Sequence, residues 1–197
     1  MKLSISSPRR PINRGAITLI EAAIYIVLAL VILVGAITQG GGLFNRNDIN
    51  TEYNNVAELL TNTRSYTKTR GIYDFTSADT MTGALIQFGG APANMTIVGE
   101  KPSGKAKLQN LWGGAVIVTP VISTGGQKSS FSLTYTSVPQ EACIALATKI
   151  SVAPSIVTTE VTGKITNGPV PASVAGTQCT PDDGAKGINT LKFTSNT

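Results

Sequence analysis

The sequence predicts an α+β chain: a long N-terminal helix, apolar in its first part, packed against a head built on an antiparallel β-sheet. Three observations carry this. Between Ala16 and Thr38 the only charge is Glu21, in a run of about 23 residues, long enough as a helix to cross a hydrocarbon core. Ile49, Tyr53, Val56, Leu60 and Tyr66 then recur near helical spacing. Phe131, Leu133 and Tyr135 later alternate with Ser and Thr, after an apolar β-branched run at Ala115–Ile122.

The elements follow in order. Residues 1–15 form a basic leader, with Lys2, Arg9, Arg10 and Arg14 and no acidic residue. Residues 16–70 are expected as the long helix, apolar over 16–38 and amphipathic over 48–70. By the positive-inside rule the leader stays cytoplasmic and the C-terminal bulk is exported. A carboxylate in such a segment costs up to about 2.5–3.5 kcal/mol near a bilayer centre and less toward the interface. Glu21 therefore calls for a compensating partner. A cleaved secretory signal and a plain single-pass anchor are the simpler readings. The run is too long for the first, and the second leaves Glu21 without a use.

Gly40, Gly41 and Gly42 follow, each costing about 1 kcal/mol in a helix relative to alanine, and predict a break or hinge. Asp48 or Asn50 could cap a restarted helix, and Gly71 ends the pattern. The head is expected over 71–197. Ser77 or Asp79 opens a short helix to Gln87 with Met81, Leu85 and Phe88 on one side, closed by Gly89-Gly90-Ala91-Pro92. Gly125-Gly126 turns the hairpin between the Ala115–Ile122 and Phe131–Tyr135 strands. Pro139 starts a helix to about Lys149 that carries Cys143. Strands at Ile156–Val161 and Asn189–Thr194 complete a sheet covered by helices.

Composition excludes more than it selects. The net charge of +5 comes largely from the leader; without it twelve basic residues face eleven acidic ones, which gives no support to nucleic-acid binding. Lys101, Lys105 and Lys107 lie beside Pro102 and Gly104 and read as a solvated loop. With no histidine and no CxxC, no metal site, catalytic constellation or cofactor is expected. Asp182-Asp183 reads as a solvated turn. Cys143 and Cys179, downstream of an export signal, predict a disulfide closing a loop of about 37 residues and stabilising by roughly 4 kcal/mol. Two buried free thiols are the alternative.

The basic leader, the small residue and then Ile17-Thr18-Leu19-Ile20-Glu21 with its apolar helix resemble the class III signal of type IV pilins. That resemblance implies cleavage by a prepilin peptidase and methylation of the new N-terminus. The family's preference for glycine before the cut places it after Gly15. Its habit of glutamate as fifth residue places the cut after Ala16, with Ile17 first. The resemblance also gives Glu21 a partner, the N-terminal amine of a neighbouring subunit. An amine of reference pKa near 8 is charged at neutral pH and can offset the carboxylate.

The Asn110-Leu111-Trp112-Gly113-Gly114 entry to a strand, the cysteine after Val138-Pro139 and the second cysteine in a C-terminal loop resemble type IVb pilins. Among these the likeness is to pilins of plasmid-borne thin conjugative pili and enteric colonisation pili. It implies a disulfide-bounded region, 143–179, on the filament surface.

The implied function is a major pilin, a structural subunit and no enzyme, polymerising through its N-terminal helix for adhesion, aggregation or conjugative mating contact. The implied partners are further copies in a helical filament, the peptidase, the inner-membrane assembly machinery and minor pilins. The implied location is the inner membrane as a precursor, then a filament on a Gram-negative surface. A minor pilin, a type II secretion pseudopilin and a membrane-anchored periplasmic binding domain are the alternatives.

Overall fold

The computed structural model describes residues 46–123 and 125–196. The expected leader, membrane segment and glycine break lie outside them. Helix α1 is already formed at Arg46 and runs over 46–67. Asp48 and Asn50 are thus interior residues, not caps. Ile49, Val56, Leu59 and Leu60 are buried, as are Glu52, Asn55 and Thr63. This stripe, at spacings of three and four, corrects the expected face. Tyr53 is 36% exposed and Tyr66 51%. Tyr66, three residues past Thr63, continues the stripe at its C-terminal end, where the cover of the head thins and half the side chain stays exposed. Tyr53 flanks the stripe, with the Lys149 ammonium 5.8 Å from its ring centroid. The chain leaves α1 through a turn with Arg70 and Gly71 at positive φ, closed by the Thr69–Ile72 bridge.

Helix α2 (Ala78–Gln87) starts at Ser77 with a reciprocal cap. The Thr80 N–H donates to Ser77 Oγ at 3.2 Å, and the Ser77 N–H donates to Thr80 Oγ1 at 3.1 Å. Met81, Leu85 and Ile86 face the core, whereas Phe88, expected among them, is the C-cap residue and largely exposed. Gly83 lets the helix touch the Gly104 carbonyl; a Cβ there would lie 1.9 Å from its oxygen.

Among the described residues seven strands form one sheet: β1 (Thr96–Val98), β2 (Lys107–Gln109), β3 (Ala115–Val121), β4 (Ser130–Val138), β5 (Ile156–Val161), β6 (Lys164–Asn167) and β7 (Asn189–Ser195). Their order is β1-β2-β3-β4-β7-β5-β6, and every pairing is antiparallel. β3 and β4 make the expected hairpin, with Val118 opposite Leu133. The last strand, β7, sits between β4 and β5, so the C-terminus locks the two halves of the sheet together.

Lys101 lies in a 3-10 turn (Lys101–Ser103), and Lys107 belongs to β2, so the expected basic loop is partly a strand. At the β5–β6 turn Thr162 and Gly163 both take positive φ, the requirement of a two-residue hairpin turn that matches strand twist. Helix α3 (Gln140–Ser151) lies over β5 and β7, and α4 (Ala172–Gln178) lies against α3. Tyr73, Phe131, Leu133, Leu146, Leu191 and Phe193 are sealed between the helices and the sheet.

Candidate assembly surface

Gly15, Ala16, Ile17, Glu21, Gly40, Gly41 and Gly42, the residues expected to direct processing and assembly, lie outside the described residues. Cys143 and Cys179 are joined in a disulfide with their Cα atoms 6.0 Å apart. The bond ties α3 to the end of α4, and both cysteines are buried. Two side chains hold the segment that follows. Asp182 Oδ1 accepts the Gln140 N–H at 2.7 Å, capping α3 where Pro139 offers no side-chain acceptor. Asp182 is exposed, as expected of a solvated turn, and has this capping role in addition. Asn189, fully buried, accepts the Thr180 N–H at 2.6 Å and donates to the carbonyls of Val138 and Thr180.

The least expected residue is Glu52. It projects from α1 into the core and is sealed from solvent. Its Oε1 accepts the Leu111 N–H at 2.6 Å, and its Oε2 accepts from Asn55 Nδ2 at 3.3 Å. The Tyr135 hydroxyl, with no other partner among the described residues, lies against the same carboxylate. Burial pushes the Glu52 carboxyl above its ordinary range, with Asp48 adding slightly. The Leu111 N–H, Asn55 and Tyr135 pull it back in part. Burial, and then Glu52, push the Tyr135 phenol well above its ordinary value.

Glu52 thereby grips the loop that precedes β3. Asn110 shapes that loop: its Oδ1 accepts the N–H groups of Trp112 and Gly114, and its Nδ2 donates to the Thr136 carbonyl. Gly114 is required there, because a Cβ would fall 1.8 Å from the Thr136 oxygen. The sequence offered one clue to Glu52. It lies three residues after Ile49 and four before Val56, within the apolar stripe. Among the described residues there is no group of three or more potential metal ligands. No described helix is long and apolar enough to cross a membrane.

A helix laid along an antiparallel sheet, with a disulfide bounding the C-terminal part of the head, is the architecture of a type IVb pilin head. Two solved structures from Salmonella typhi share it. The crystal structure of a type IVb pilin is 38% identical, with a TM-score of 0.65, covering 73% of this chain and 97% of that one. The NMR structure of the type IVb pilin PilS is 37% identical, with a TM-score of 0.52, covering 75% and 95%. The family model described as PilS N terminal matches residues 46–196, and the chain belongs to that family of type IVb pilins. No curated protein matches it.

Proposed function

We propose that the chain is the major pilin of a type IVb pilus, made as an inner-membrane precursor and polymerised through its N-terminal helix into an extracellular filament. Membership of the pilin family is the observation that carries this reading. The sequence before the head supports it: a basic leader, Glu21, and a membrane-length apolar run. Cleavage after Gly15 or Ala16 by a prepilin peptidase would free the amine that offsets Glu21 in the next subunit. Adhesion, aggregation or mating contact would then be properties of the filament surface, and assembly would draw on the inner-membrane machinery and minor pilins.

The test is mass spectrometry of filaments sheared from the cell surface. The chain should dominate their protein and begin at a methylated Ala16 or Ile17. A chain scarce in the filaments is a minor pilin, and one that keeps Met1 is an anchored domain of another kind.

A further inference from the structure

The two ends of the head differ in shape and charge. Contacts along α1 define them. At its N-terminal end Glu52 meets Leu111, and β4 delivers Ser137 and Pro139 to the same place, beside Trp112. At its C-terminal end Arg64 donates to Ser155 O and Asn196 Oδ1, the Tyr73 N–H donates to Lys128 O, and the Tyr73 ring meets Phe131. β4 therefore runs opposite to α1, and the β3–β4 connection marks the far end.

The near end holds an open cleft of about 360 Å³, lined by Trp112, Gly113, Ser137, Pro139, Ala185, Lys186 and Gly187. Its rim carries Leu111 and Ile188, 44% and 48% exposed. Its walls are fixed. Glu52 and Asn110 hold one side. On the other, Gly187 sits so close that a Cβ would approach the Ser137–Pro139 backbone to 2.3–2.6 Å. Ser137 keeps a left-handed φ of 55°. Asp182 and Asp183 stand beside the cleft, with Asp183 bridged to Lys186, the one cation in its lining. The far end carries Ile122, 64% exposed where β3 leaves the sheet. At the same end Lys68 lies over the Tyr73 ring, the Lys128 ammonium donates to the Phe75 carbonyl and Arg70 stands in the turn before Tyr73, with Asp74 the adjacent carboxylate.

We propose that the near end of one head receives the far end of a second copy, Ile122 entering the Trp112–Pro139 cleft and Arg70 facing the Asp182–Asp183 lip. The proposal rests on the reading of the chain as a filament subunit. An aliphatic knob matches a hole walled by Trp112 and Pro139, a cationic end matches a lip where two carboxylates outnumber Lys186, and both halves lie on opposite ends of one head. A chain that carries both halves is built to bind itself. The contact joins two different surfaces, so repeating it without closure gives an open polymer. Rigid walls reduce the ordering cost of binding, and the opposite charges fix the register.

The test uses the full chain in cells that assemble the filament. A chain with Ile122→Cys and Leu111→Cys, oxidised in sheared filaments, should give a ladder of covalent multimers on a non-reducing gel, while each single variant stays monomeric. Arg70→Asp or Asp183→Arg alone should lower filament yield about tenfold, and the two together should restore most of it. The charge pair decides the matter if the cysteine chain fails to assemble. Normal filaments with no ladder, a dimer from Ile122→Cys alone, or a charge swap that leaves yield no better than either single change would overturn the contact. A wild-type chain missing from the filaments would overturn the filament reading itself, and the contact with it.

Discussion

Glu52 joins helix, loop and strand through one buried carboxylate, and its charge state should be measurable as stability. The folded state holds a proton on Glu52 more tightly than the unfolded chain does, because burial raises its pKa above the ordinary value of 4.5. Between that value and the raised one the folded state binds more protons, so this residue's contribution falls as pH rises. Below pH 4.5 the penalty is absent, and above the raised pKa it is fully present. The Glu52→Gln chain keeps an acceptor for the Leu111 N–H and cannot ionise. The unfolding temperature of the wild type relative to this variant, both in detergent micelles, should therefore drop between pH 4.5 and neutrality. A pH-independent difference would refute the burial argument. Glu52→Ala strips the Leu111 N–H of its acceptor and leaves a cavity, and should cost about 2–4 kcal/mol by denaturant titration.

At the scale of elements, the disulfide and Asn189 act on the same stretch of chain. The disulfide joins α3 to α4, while Asn189 pins Thr180 to β4. The short helix α4 has a single buried residue besides its capping cysteine, Ala175, so packing alone holds it weakly. Cys143→Ser with Cys179→Ser should cost about 2–5 kcal/mol. Hydrogen exchange should rise first in α4, and unchanged exchange there would show that packing suffices. Elements long enough to show a period were readable from sequence. The β3–β4 hairpin alternates over several residues, and Ser77 signals the start of α2. β1, β2 and β6 were not readable, because three or four residues are too few to display alternation. Glu52 was hidden for another reason. A carboxylate on an amphipathic helix is ordinarily assigned to solvent, and only the tertiary partners Leu111 and Tyr135 make its burial tolerable.

For the molecule as a whole, two charges with different roles divide the expected assembly. Glu52 organises the head and is met by groups of its own chain. Glu21, in the apolar run, has no basic residue within five positions along the sequence. On the proposed reading a carboxylate in the apolar run needs a partner, and each copy would supply one, the α-amine of its processed N-terminus. Glu21→Ala removes the need for that amine without touching the head or the residues around the cut. The variant should be processed at the normal rate and its disulfide should form, but filament yield should fall by an order of magnitude or more if each copy loses the proposed register-setting ion pair. Immunoblots of cell and sheared fractions separate the two steps. Normal filament yield from fully processed Glu21→Ala would show that apolar packing alone sets the register. An uncut precursor would instead place the glutamate in peptidase recognition.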